Sequence, residues 1–540
     1  MSAPILNPTG SSAEAQGVLA ARRFRDLNGK TVCLLDSTKH NSDRLLDAIG
    51  ELLQERYAIK EIISERKPYF GRPVPMEQAK ELASRCDVVI TAVGDGGSCS
   101  AASVADGIIF EKLGVPAVSI VTDAFTKSGD AMARRQGMPG YRFAMVPHPM
   151  SSLTPDECKL RARDVLDEVT AILGLGGAVA APRPAAAPAQ GNGAAVLIED
   201  LSSERIRELE RVVEYYYEQG WTDGLPVVPA TEERVSAWAD YVGRDPKEII
   251  ATVSHLERAC TIELAAAAAI MAGCQKEHFP VVLAAVEAFT APRGYATGLL
   301  QSTTGQAQLV IVNGPVREKL GFNSKGNVFG SGFRANASVG RAMRLIAINA
   351  FGLRPHEFDQ STQGTPAKYS FCIAENEEES PWEPLHVERG FARERSAVTV
   401  HFARSTLHVE NRVSNQPEQV LLTIADSMSY AGAWGGGRGG YTVVVGPEHA
   451  QLLASRGWTK QAAKAFLWES WGRRRGELRR FGLIQPETGE GSDEEFLHSG
   501  QSPDSLLLIV AGARNAGVST VITSLSAEFF SKEIAVPVGA

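Results

Sequence analysis

Residues 88–103 read VVITAVGDGGSCSAAS, and the fold of the N-terminal part follows from how this stretch is taken. Val88 to Thr91 are apolar or β-favouring, Gly94, Gly96 and Gly97 come next, and Cys99 sits between two serines. From Ala101 onward the residues favour a helix. The pattern is a strand, a tight glycine turn and a helix start, with a thiol at the crest. Backbone N–H groups left without acceptors at a helix start stabilise a thiolate. Cys99 is therefore the first candidate for chemistry and is expected to be more acidic than a free thiol.

Working outward, the same alternation repeats. Thr31–Leu35 predicts a strand ending in Asp36-Ser37-Thr38, followed by a helix over Ser42–Arg56, a strand Ile59–Ser64 and a helix Pro75–Arg85. Beyond Val88–Val93 come a helix Ala102–Leu113, a strand Ala117–Val121, a helix Thr126–Gln136, a strand Tyr141–Val146 and a helix Pro155–Leu173. This spacing predicts a Rossmann-like or flavodoxin-like α/β domain over 29–175, with a parallel sheet covered on both faces, behind a polar tail at 1–28. Ligands of such sheets bind beyond the C-terminal strand ends. Asp36, Ser37, Thr38, the turn 94–100 with Gly97, Ser98, Cys99 and Ser100, Thr122, Asp123 and His148 all fall there, and their convergence on one rim points to a site. Taken alone, Asp36 or Asp123 reads equally well as a turn or helix cap.

At 540 residues the chain is too long for one core. Apolar content of 44% and charged content of 22% place it among soluble globular proteins. A net charge of -8 with no basic stripe argues against a nucleic-acid partner. The seven cysteines are scattered and form no CxxC pair, which suits a reducing, cytoplasmic setting. The start of the chain lacks the basic and apolar segments of a signal peptide. Leu264–Gly273, the longest apolar run, is too short for a bilayer, so no membrane partner is expected.

Residues 176–198 are rich in alanine, proline and glycine and read as a semi-rigid linker. A larger α/β domain is expected over 199–540. LVIVNGP at 309 echoes TVVVGPEH at 442, which predicts two related lobes meeting near 375–385. His255, Glu257 and Cys260 lie close together, with Cys274 and His278 shortly after. His255 or Glu257 is a candidate base for a Cys260 nucleophile. As metal ligands the set fits no zinc spacing, and the helix Ile262–Ala272 holds its pairs apart, so no metal is expected. Phe322–Ala337 is rich in Gly, Asn and Ser, and with Asn327 and Arg334 it is expected to offer donors to an anion and to complete the pocket. His401 and His408 are odd-spaced, so on one strand they would face opposite sides. His449, after Gly-Pro at a strand end, is a better pocket candidate.

Gly97-Ser98-Cys99 and the strand ending Asp36-Ser37-Thr38 resemble the UGSC family, named for a selenocysteine- or cysteine-Gly-Ser-Cys motif after a Rossmann-like strand. GWTDGLPVVPATEERV from Gly220 and MAGCQKEHFPVVLAAVEAF from Met271 look like the large C-terminal domain joined to some members. The first motif position is Gly96 here, so a redox cycle between two chalcogens three residues apart cannot run at this site.

The leading expectation is an enzyme using covalent or acid–base thiol chemistry on a small electrophilic or carboxylate-bearing substrate, as a lyase, hydrolase or isomerase without an organic cofactor. Cys99 would act as nucleophile or base, the amides of Gly97–Ser100 would hold developing negative charge, and Asp36, Asp123 or His148 would relay protons. Two alternatives stand beside it. One is a thiol oxidoreductase pairing Cys99 with a distant cysteine, Cys260 above all. The other is a phosphate- or metabolite-binding module with a structural cysteine. A homo-oligomer is compatible with each of these.

Overall fold

The computed structural model describes residues 2–6, 24–175, 195–253, 258–290, 300–430, 432, 434, 436–484 and 491–535. The chain divides into two units, Met1–Ser202 and Ser203–Ala540. In the first, β1 (Ser2–Leu6) pairs antiparallel with β7 (Ala195–Ser202). The remaining strands are β2 (Thr31–Asp36), β3 (Glu61–Arg66), β4 (Val88–Gly94), β5 (Ala117–Thr122) and β6 (Ala144–Val146). They form one five-stranded sheet in the order β3-β2-β4-β5-β6, and every neighbouring pair is parallel.

The central strands β2, β4 and β5 are buried along their whole length because both faces are covered. Val32, Leu34, Val88 and Ile90 pack under α1 (Ser42–Arg56) and α5 (Pro155–Ile172). Cys33, Leu35 and Val89 face the other way, toward α2 (Met76–Arg85) and α3 (Gly97–Lys112). Thr154 and Glu157 set the start of α5 by a reciprocal capping box. One boundary differs from the sequence expectation in a way that matters. α3 begins at Gly97 and not Ala102, so Cys99 lies inside the first helical turn and not on the crest of a loop.

The second unit carries two four-stranded sheets. The strands of the first are β10 (Ala307–Asn313), β11 (Cys372–Ala374), β12 (Ala397–Ala403) and β19 (Phe530–Glu533). Those of the second are β13 (Ser405–Glu410), β14 (Tyr441–Val445), β17 (Leu506–Val510) and β18 (Val518–Thr523). β10 has a parallel neighbour, β11, and an antiparallel one, β12, which in turn pairs antiparallel with β19. β14 repeats that layout with β17, β18 and β13. The outermost strands are exchanged: β13 follows β12 in the chain but joins the second sheet, and β19 follows β18 but returns to the first. The joint at 375–385 is therefore no boundary between sheets, since β12 beyond it pairs with β10 before it.

Alternation along the strands builds four layers. Val310, Val312, Val398 and Val400 face a helical layer that includes α8 (Ile262–Met271) and α9 (Phe279–Phe289). Leu309, Ile311 and Ile373 meet Val444, Leu507 and Ile509 of the other sheet. Val443, Val445 and Leu508 face the helices Pro417–Met428 and Lys460–Ser470.

The two halves share one corner in atomic detail. A Cβ on Gly314, which has φ +83°, would collide with the Arg395 carbonyl oxygen, and Val316 N–H donates to Ser396 Oγ at 3.0 Å. A Cβ on Gly446 would collide with the Val518 carbonyl oxygen, and Gly446 N–H donates to Ser519 Oγ at 3.2 Å. In each case a Gly-Pro turn lies directly on the backbone at the start of the antiparallel neighbour. Gly314→Ala and Gly446→Ala are each expected to destabilise the second unit by about 2–3 kcal/mol, because backbone cannot yield as a side chain would. The check is the shift in denaturation midpoint, read for Gly314 against Gly321, which also has a positive φ but nothing beside it, and for Gly446 against the unmutated chain.

Candidate functional site

Numbered within the five-stranded sheet, the order is second, first, third, fourth, fifth. The sheet grows in opposite directions from β2 and β4, so the crevice for a ligand lies beyond the C-terminal ends of these two strands. The ends of β2 and β4 are Asp36–Thr38 and Gly94–Ser100, the segments the sequence singled out.

Asp95, on the same turn, is the residue around which this corner is organised. It is 4% exposed, and its carboxylate accepts from His148 Nδ1 at 2.9 Å, Met150 N–H at 3.1 Å, Ser151 N–H at 2.9 Å and Ser151 Oγ at 2.6 Å. Burial by itself would raise its pKa, but His148 and these donors outweigh that and hold it below the ordinary carboxylate value. Its backbone amide faces the sulfur of Cys99. Asp95 thus touches both an imidazole and a thiol, although the sequence placed it on the rim only as part of the 94–100 turn and gave it no role of its own.

Cys99 differs from expectation. It is 2% exposed and donates to the Gly96 carbonyl oxygen at 3.3 Å. Burial pushes its thiol up, and the charge of Lys39 and the Asp95 amide do not overcome that. The first-turn amides are present as expected; desolvation of the anion is the larger effect. A Cβ at Gly96 would lie 3.1 Å from the sulfur, closer than an ordinary contact, so a side chain at that position would press on Cys99.

The other candidates of this unit fall into place around these two. Asp36 pairs with Arg66 Nε at 2.5 Å and accepts from Thr38 N–H at 2.8 Å, a structural use of the carboxylate. Ser37 is buried and accepts from Val93 N–H at 3.0 Å, tying β2 to β4. Asp123 accepts from His148 N–H at 2.9 Å and so places the backbone of that histidine. Thr122 Oγ1 lies 3.2 Å from His148 Nδ1. Gly97 and Ser98 are exposed at the mouth, whereas the buried Ser100 hydroxyl finds no protein partner among the described residues.

A second feature escaped the sequence reading. Lys67 Nζ and Asp106 Oδ2 form an ion pair of 2.5 Å with both side chains fully buried, and Asp106 also accepts from Val74 N–H at 2.6 Å. Burial pushes Asp106 up to about 6 in spite of the lysine. The pair clamps the segment 67–74 to the middle of α3. Lys39 Nζ lies 5.5 Å from the centre of the Phe70 ring of that segment.

The candidates of the second unit are engaged elsewhere in its structure. Cys260 on β9 (Arg258–Thr261) is buried, and burial pushes it up to about 12. His255 and Glu257 lie outside the described residues. Asn327 Nδ2 donates to the Ser331 carbonyl at 3.0 Å, and Arg334 Nε donates to the Gly273 carbonyl at 2.9 Å. Arg334 opens a helix, Arg334–Asn349, that takes up the end of the Gly/Asn-rich stretch. His401 lies between Thr442 Oγ1 and the Ser526 carbonyl, and burial takes it down to about 4. His408 is on β13, in a different sheet from His401. Among the described residues, no group of three or more His, Cys, Asp or Glu side chains is arranged to hold a metal ion.

Sheet order and crevice together make the N-terminal unit a doubly wound α/β domain of the flavodoxin-like type. Residues 4–175 match the UGSC family, a match that ends before the second unit begins. No curated protein matches the chain. Among the described residues no helix is long and apolar enough to cross a membrane.

Asp95→Ala is expected to cost about 3 kcal/mol at neutral pH, since it strands buried donors of His148, Met150 and Ser151. The folded pKa of Asp95 lies below its unfolded value, so its stabilisation is complete above that value and is lost as pH falls through the folded one. The melting-temperature gap between the two proteins is expected to hold down to about pH 5 and to shrink progressively as pH falls below about 4.

Proposed function

We propose that the N-terminal unit is a cysteine-dependent enzyme acting on a small electrophilic or carboxylate-bearing metabolite, with a lyase, hydrolase or isomerase outcome. The observation that carries this reading is the position of Asp95, whose carboxylate holds His148 while its amide faces Cys99. The resting thiol is protonated, so chemistry begins when a bound substrate displaces water and a base takes the proton. Cys99 gives that proton to His148 as the sulfur bonds to the electrophilic carbon. The electron pair displaced onto the substrate oxygen is met by the first-turn amides of Gly97, Ser98 and Cys99 and by Lys39. His148 then returns the proton to the departing group as the displaced pair re-forms the C–O double bond. In the hydrolase outcome a water deprotonated by the same imidazole attacks the thioester carbon, breaking the S–C bond and restoring the Cys99 thiol. Asp95 and Asp123 position the histidine, and Asp36, Ser37, Thr38 and Ser100 shape the rim. Seven free thiols suit a cytoplasmic setting.

The burial of Cys99 favours a second reading, a metabolite-binding module in which the same amides hold an anion and the sulfur only packs. Iodoacetamide mapping of the full chain separates the two. For the enzyme, Cys99 is labelled ahead of Cys33, Cys260, Cys274 and Cys372, faster as pH rises through the thiol range, and about tenfold slower in His148→Ala. Slow labelling that ignores His148 and treats all cysteines alike leaves the binding module.

A further inference from the structure

A cavity of about 460 Å3 opens in the second unit beside Pro315, at the C-terminal end of β10. Its floor is apolar, made by Pro280, Val316, Leu320 and Ile534 with the Tyr241 ring at one side. Its walls are held in place. Gly314 lies against the Arg395 carbonyl, Val316 N–H donates to Ser396 Oγ at 3.0 Å, and Ile534 N–H donates to the Ser396 carbonyl at 2.8 Å. Ile534 follows β19, so this wall exists only because the last strand returns to the first sheet.

The matching corner of the second sheet is filled. There His449, three residues after Gly446, is buried, with Nδ1 2.8 Å from Ser519 Oγ and Nε2 3.0 Å from the Asn411 carbonyl oxygen. The residue in the same place after Gly314 is Arg317, and it turns away to pair with Glu377 at 2.9 Å and Glu378 at 2.8 Å. The first corner is thereby left open where its counterpart is plugged.

Charge around the opening has both signs. Arg395 is paired with Glu533, whereas Lys319, Glu277 and Glu394 have no ion pair among the described residues. A fatty acid could pair with Lys319 but would leave Glu277 and Glu394 without a counter-charge, and an alkylamine would leave Lys319 without one. Only a ligand with both charges next to an apolar group finds a partner for each. We propose that this cavity binds a small apolar zwitterion: an aliphatic or aromatic α-amino acid, or a short peptide of such residues. Lys319 takes the carboxylate, Glu394 and Glu277 take the ammonium, and the side chain lies on Val316, Leu320 and Ile534. The volume is that of a small-molecule pocket.

The test is isothermal titration of the full chain with L-leucine, L-phenylalanine and the dipeptide Leu-Leu, each also as its N-acetyl and its amide derivative. Saturable binding of at least one parent is expected, weakened about tenfold or more by blocking either charge. The amino acids binding without the dipeptide, or the reverse, tells which of the two forms is held. Lys319→Met is expected to weaken the parent about tenfold and to abolish its advantage over the amide. Blocked and parent ligands binding alike, or no saturation below about 10 mM, overturns the proposal. The ligand series on the unmutated chain decides the matter even if the variant fails to fold.

Discussion

A carboxylate taken out of water must find donors for both oxygens, and Asp95 finds them in the loop after β6. That requirement organises the N-terminal unit at its functional end. Met150, Ser151 and His148 are all drawn to one side chain at the tip of β4, so the loop beyond the last strand is tied to the turn that carries Cys99. The same carboxylate, held ionised, fixes the orientation of the imidazole. Placement of the histidine and closure of the sheet's rim are thus one event. The cost is that the neighbouring sulfur sits in the same dry surroundings, where the thiol is favoured over the thiolate.

The second unit depends on an exchange. Each sheet takes its outermost strand from the other half of the segment, so neither half can complete its sheet alone. With both inner faces apolar, the sheets bury one another and leave helices only on the outer faces. The two Gly-Pro corners show how closely the halves agree, down to the serine that accepts a turn amide. They also show where the halves diverge: His449 fills its corner, and Arg317, drawn to Glu377 and Glu378, leaves a cavity.

Strand and helix segments were legible because their physics is local. Ser42–Arg56 is observed as expected, and the strands expected from Thr31 and Ala117 begin at those residues. The start of α3 was misplaced since glycine and serine read as loop, yet at a helix N-terminus they are well tolerated. The echo between 309 and 442 was visible, but not the exchange of β13 and β19, which no local pattern encodes. Within the site, glycine turn and strand ends could be read directly. Asp95 and the Lys67–Asp106 pair could not, because a charged residue in sequence gives no sign of whether it will be solvated or buried with partners.

Residue order alone determined the alternation of strands and helices, the parallel sheet of the first unit and the rim on which its candidate residues converge. All of these follow from hydrophobic periodicity and turn chemistry along a short stretch of chain. Tertiary structure decided which charges are buried, how protonated Cys99 is, which sheet each late strand joins and where a cavity remains. Those properties depend on atoms distant in sequence that exclude water from a common space, and water exclusion sets both the energy of a charge and the shape of a void.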